Sequence, residues 1–146
     1  MARVFAQEDG NLSTRPITTS RTASYTDIDL TFTNKSNGEI FKKTDAASVK
    51  QAVRNLLMTN KGEKPFNPHY GGNLNDFLFS LSEDMDNIEI ENAVALAIDA
   101  QEPRAAVRGV QVLLKEDYNS IHVLVQFQVV NTLEIAELNL ELTRLR

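Results

Sequence analysis

Apolar residues recur along this chain with two periods, and each change of period marks a change of element. Ile28, Leu30 and Phe32 alternate with Asp27, Asp29 and Thr31, the period of a half-buried strand. Asn37-Gly38 follows as a hairpin turn signal. Together they predict a strand pair, roughly 28–33 with 39–42. The period then lengthens. Val49, Ala52, Val53, Leu56 and Leu57 form one helical stripe. Thr44 is its predicted N-cap, Asp45 suits the positive end of the helix dipole, and Asn60 with Gly62 supplies the stop. A second stripe, Ile90, Val94, Ala97 and Ile98, predicts another long helix. Ser82 is its expected cap, Glu83, Asp84 and Asp86 fill its first turn, and Pro103 ends it.

From there to the C-terminus the period is two. Val110, Val112 and Leu114 share one face, as do Ile121, Val123, Val125, Phe127 and Val129, and then Ala136, Leu138, Leu140 and Leu142. This predicts an antiparallel meander with one wet face. A hairpin, then helices, then a meander gives an α+β fold. The last strand is expected at a sheet edge, where unpaired N–H and C=O groups can accept a foreign strand.

One stretch breaks both periods. "KGEKPFNPHYGGNLNDFLF" holds Gly62, Pro65, Pro68, Gly71 and Gly72 among the aromatic residues Phe66, Tyr70, Phe77 and Phe79. The prolines push Lys64 and Asn67 out of helical geometry, and Gly71-Gly72 permits a positive φ. Asn73 is then placed to cap a short helix with Leu74, Phe77, Leu78 and Leu81 on one face. Phe66, Tyr70 and Phe77 are expected to pack as anchors beneath the loop. A partner contact by Phe66 or His69 is the alternative. Residues 1–24, polar and without a period, read as an extended or disordered arm before a single domain over 25–146.

Composition narrows the chemistry. A chain of 146 residues without cysteine builds its core without disulfides and points to a reducing compartment. The N-terminus lacks the apolar stretch of a signal peptide, and no apolar run is long enough to span a membrane. A net charge of −5 argues against a nucleic-acid partner. His69 and His122 lie far apart, so neither a metal site nor any cofactor is expected. No nucleotide-binding glycine motif and no Ser/His/Asp context occurs. Glu83, Asp84, Asp86 and Glu89 are the carboxylates that a glycosidase reading would use. A helix N-terminus and a solvated face account for them. A small-ligand site in the aromatic loop is a weaker alternative. Glu102-Pro103-Arg104 reads two ways: a helix stop with a local ion pair, or an Arg positioned for a planar, bidentate partner.

"KGEKPFNPHYGG", then "IENAVALAIDAQEPR", then the meander resemble, in that order, the baseplate wedge family of contractile phage tails and type VI secretion systems. The loop is similar to that family's Gly-x-[Arg/Lys]-Pro-Phe-x-Pro-x-[Phe/Tyr]-Gly signature, and "EPR" to its triplet. The resemblance runs from about Ser48 to the C-terminus. It implies a structural, non-enzymatic subunit of the virion's tail baseplate, assembled in the host cytoplasm. Its implied partners are other wedge proteins and the tail sheath, with tail tube or hub proteins as further neighbours. It further implies that Glu102, Pro103 and Arg104 contact a helical core bundle. The meander, through Val123, Val125, Phe127, Leu138, Leu140 and Leu142, would meet sheath strands and template the first sheath ring. The loop, through Gly62, Pro65, Phe66, Pro68, Tyr70 and Gly71, would fix the scaffold. Some members of the family carry a lysozyme label, so a peptidoglycan hydrolase is the alternative function.

Overall fold

The computed structural model describes residues 25–79, 86–115 and 120–144. Strands β1 (Thr26–Ile28) and β2 (Lys42–Thr44) form an antiparallel pair. Helices α1 (Asp45–Met58), α2 (Leu74–Phe79) and α3 (Asn87–Gln101) follow. Strands β3 (Ala105–Lys115), β4 (Ser120–Val129) and β5 (Ile135–Thr143) complete the fold as an antiparallel sheet in the order β3-β4-β5. The α+β class and the element order are those the hydrophobic pattern predicts. Residues 1–24, Leu81, Ser82, Glu83 and Asp84 lie outside the described residues.

The sheet buries one face under α1 and α3, with α1 packed mainly on β5 and α3 on β3. Ile121, Val123, Val125, Phe127 and Val129 all point into this core from β4, and Leu138, Leu140 and Leu142 join them from β5. Val49, Val53, Leu56 and Leu57 meet them from α1, and Ile90, Val94 and Ile98 from α3. Both predicted stripes therefore face the core, except that Ala52 and Ala97 are only half-buried.

The hairpin departs from its expected extent. Its paired strands lie at 26–28 and 42–44, and meet the predicted 28–33 and 39–42 only at the Ile28↔Lys42 pair. Asp29 is the reason. Its carboxylate accepts the N–H of Thr31 at 3.0 Å, and its carbonyl accepts the N–H of Phe32 at 3.2 Å. Such a local turn competes with strand pairing. Phe32 accordingly takes a φ of 52°. The chain rejoins the ladder only at the Asn34↔Ile40 bridge, closed by the Asn37-Gly38 turn, where Asn37 Oδ1 accepts the N–H of Glu39 at 3.1 Å. As a result Ile28, Leu30 and Phe32 are 52%, 48% and 62% exposed, not half-buried.

The helix ends also shift. Thr44 is the N-cap of α1 but makes no side-chain cap bond. Asp45 ties the helix start to Tyr25 instead, donating its N–H to the Tyr25 carbonyl at 2.7 Å and accepting the Tyr25 N–H at 3.2 Å. Helix α1 stops one residue before Asn60, at Thr59, whose hydroxyl donates to the Asn55 carbonyl. Helix α3 begins later than predicted. Asp86 is its cap and accepts the N–H of Ile88 at 3.1 Å.

Candidate functional site

Two regions carry the candidate residues: the loop between α1 and α2 with the end of α3, and the β5 edge. In the first, the loop closes on itself. Gly62, at φ 88°, donates its N–H to the Pro68 carbonyl at 2.9 Å. Glu63 accepts from both the backbone N–H and the side-chain amide of Asn60. Gly71-Gly72 then presses onto the end of α1. A Cβ on Gly71 would stand 2.5 Å from the Thr59 carbonyl oxygen, and Gly71 has a φ of 131°. Only glycine meets both conditions without strain.

The aromatic residues of the loop divide. Tyr70 and Phe77 pack against the core, and the Lys64 ammonium sits 3.9 Å from the centre of the Tyr70 ring. Phe66 does not anchor anything. It is fully exposed, at a φ of 65°, because the turn between the two prolines directs it outward. Pro65, Pro68 and His69 are exposed with it. A cleft of about 460 Å3 separates the loop from α3, lined by Lys61, His69, Phe77, Leu96, Ala97 and Gln101.

Glu102 and Arg104 lie where α3 meets β3. Glu102 is the C-cap of α3 and is 8% exposed. Arg104 grips it with two bonds, Nε to Oε1 at 2.6 Å and Nη2 to Oε2 at 2.8 Å. The side-on fork of the guanidinium, Nε with Nη2, is therefore engaged within the chain. The Arg104 guanidinium also stands over Tyr25, 5.6 Å from the ring centre. The Glu102 bond holds the Arg104 pKa above its ordinary value. Burial, with the Glu102 charge adding, pushes the Tyr70 phenol above its own. The charges of Glu102 and Arg104 both act on Tyr70, so the loop and the triplet lie in one neighbourhood.

The β5 region differs from expectation in one respect. Val123, Val125, Phe127, Leu138, Leu140 and Leu142 are no more than 6% exposed. Their side chains belong to the chain's own core, because α1 and α3 cover that face. What β5 offers instead is its edge. Val129 donates its N–H to the Glu134 carbonyl, which sets the phase of the ladder. By antiparallel alternation Ala136, Leu138, Leu140 and Leu142 bond to β4. Ile135, Glu137, Asn139, Glu141 and Thr143 then turn their N–H and C=O groups away from it. All five have exposed side chains.

Three contributors carry no signal in the sequence pattern. Gln51 clamps the hairpin to α1: its amide donates to the Ile28 carbonyl at 2.8 Å and accepts from the Leu30 N–H and from Lys43. Asp29 pairs with Lys43 at 3.1 Å. Glu91 reaches from α3 to accept the N–H of Val112 on β3 at 3.0 Å. Each depends on which elements meet in space.

Of the glycosidase carboxylates, Asp86 is engaged as a cap and Glu89 is exposed on α3. His122 lies on the outer face of the sheet, with Nε2 3.1 Å from a Glu141 carboxylate oxygen. Among the described residues no group of histidines and carboxylates is placed to hold a metal ion. No described helix is long and apolar enough to cross a membrane.

The chain's relatives fit this architecture. A protein of enterobacteria phage T4 described as baseplate wedge protein gp25 is 28% identical over 119 residues, covering 81% of this chain and 90% of the relative. Two solved structures share the fold. One is a Geobacter sulfurreducens protein described as a tail lysozyme (TM-score 0.58, 23% identity, 67% of this chain and 89% of that one). The other is a chain of the anti-feeding prophage baseplate (TM-score 0.58, 19% identity, 83% of this chain and 86% of that one). The family model for the baseplate wedge protein gp25 matches residues 43–134, from within β2 through the turn that follows β4, and this chain belongs to that family.

Proposed function

We propose that this protein is a structural wedge subunit of a contractile tail baseplate that lends its β5 edge to a strand of the tail sheath. The observation that carries this reading is the edge itself. It runs unbulged through nine paired positions, and its outward main-chain groups have no partner among the described residues. An added strand would bring main-chain hydrogen bonds worth roughly 0.5–1.5 kcal/mol each. The strand would be recognised by its backbone, since the apolar face of β5 is already buried. The other wedge proteins would meet the chain at the end of α3. There the rigid loop presents Phe66, and the Glu102–Arg104 pair stiffens the turn into β3. Tail tube or hub proteins lie further along the same assembly. The virion baseplate is the location that follows, with assembly in the host cytoplasm.

The test is a variant that spoils the edge and spares the fold. Deleting β5 is unsuitable, because it removes Leu138, Leu140 and Leu142 from the core. Asn139→Pro removes one outward N–H and leaves the ladder to β4 intact. Baseplates carrying it should form wedges but fail to initiate sheath. Full-length sheath on such baseplates would refute the reading. For the wedge contact, Arg104→Ala is confounded, since it strands a nearly buried carboxylate. Phe66→Ala changes only an exposed side chain and should weaken wedge pull-down while leaving the melting temperature unchanged.

A further inference from the structure

The edge of β5 opens beside a cleft whose charge differs from that of the strand's outer face. The cleft holds about 450 Å3 between the hairpin, α1 and β5. Leu30, Lys43, Ala47, Lys50, Arg54 and Leu138 are among the residues that line it. Leu138 is the only residue of the sheet in this lining. The cleft therefore lies next to the edge strand, on the side that faces the helices. Lys43 is engaged by Asp29 and Gln51. Lys50 and Arg54, one turn apart on α1 and exposed, have no acidic partner among the described residues.

The opposite face of β5 is acidic. Glu137 and Glu141 are exposed on it, two positions either side of Asn139. Glu137 accepts from the Gln126 amide, and Glu141 lies beside His122. Neither meets a Lys or Arg among the described residues. A strand added at this edge would alternate its side chains between the two sides. One set would lie beside Leu138 and reach Lys50 and Arg54. The other would lie beside Glu137 and Glu141. Opposite charges at neighbouring positions of a sheet attract, and like charges repel.

We infer that the β5 edge selects a strand of alternating charge: acidic toward the Lys50–Arg54 cleft and basic toward Glu137 and Glu141. This rests on the strand-addition reading above and adds the chemistry of the strand. The backbone edge supplies attachment for any extended chain. The two charged borders supply register, because a slip of one residue sets every charge against its like. They also discriminate against uniformly acidic or uniformly basic strands.

The probes are two cyclic β-hairpin peptides of one composition. One carries Glu on one face of its free strand and Lys on the other. The second mixes both residues on each face. Each is titrated into the full chain at low salt, and backbone amide shifts are followed by NMR. The alternating peptide should shift the amides of Ile135, Glu137, Asn139 and Glu141 and bind about ten-fold tighter than its isomer. Added salt should shrink that gap. Lys50→Glu with Arg54→Glu, both at exposed positions, should lower the alternating peptide's affinity about ten-fold with the spectrum otherwise native. Equal binding of both peptides at β5 would overturn the charge selection and leave strand addition standing. Tight binding that the double variant leaves unchanged would do the same. No shift of the β5 amides by either peptide would overturn strand addition itself.

Discussion

Strands β3 and β5 are the two edges of one sheet, and both alternate apolar with polar residues, yet the fold treats them differently. Strand β3 is blunted. A register shift between Val107 and Gly109 bulges it around Arg108. The Ala105 N–H is taken by the Glu102 carbonyl and the Val112 N–H by Glu91. Helix α3 packs along it. Among the described residues, strand β5 has no bulge, no helix side chain on its outward N–H groups, and charge on both borders. Bulges, charges and covering helices are how sheets protect edges from unwanted pairing. One edge is closed by two of these devices, the bulge and the covering helix, and by bonds to two of its outward N–H groups. The other is straight and open, which is the state a strand acceptor needs. The difference teaches that edge chemistry here comes from what crosses the edge, since the strand sequences by themselves look alike.

Several substitutions would break or sharpen this contrast, beginning with the largest effect. Phe127→Ala empties the centre of β4, which both edges share. It should cost about 3–5 kcal/mol in chemical denaturation and loosen the two edges together. Glu91→Ala acts on β3 alone. It should cost about 1–3 kcal/mol and speed hydrogen exchange at Val112, because that amide loses its partner. The matching change on β5, Glu137→Ala, should stay within about 0.5 kcal/mol.

Leu133→Gly addresses the turn that sets the register of β5. Leu133 sits exposed at a φ of 57°, a conformation that costs a non-glycine residue roughly 1–2 kcal/mol. Part of that gain returns as glycine's extra chain entropy, so a stabilisation of about 0.5–1 kcal/mol is expected. The smallest effect is one of pH. Hydrogen bonds from the Thr31 N–H and from Lys43 hold the Asp29 pKa below its ordinary 3.8. A depressed carboxylate pKa means stability that is present above 3.8 and lost as pH falls below it. NMR signals of the hairpin should therefore shift in acid before those of the β3-β4-β5 sheet.

Much of the architecture is legible in the chain because two periods dominate it. The stripes of α1 and α3 and the alternation of β4 and β5 each name their own buried face. The hairpin is legible as a hairpin but not in extent. An Asp side chain that bonds its own backbone outweighs the alternation of Ile28, Leu30 and Phe32. The loop shows the same limit at one residue. Pro65 and Pro68 announce a turn, yet only the finished turn decides that Phe66 points outward while Tyr70 points inward. Glu102 and Arg104 stand close enough in sequence to suggest a local ion pair, and the structure adds that Arg104 commits Nε and Nη2 to it. Contacts made across distance, such as Gln51 on the hairpin and Glu91 on β3, leave no periodic trace. The same holds for the charged cleft beside β5, whose residues come from three separate segments.

The central claim is that β5 is the edge this protein gives to a partner strand. An electron-microscopy map of an assembled tail containing this chain tests it most directly. The account predicts a fourth strand paired along Ile135–Thr143, with β3 still bulged and capped by Glu91. A map with β5 bare to solvent, or with the added strand on β3, would contradict it.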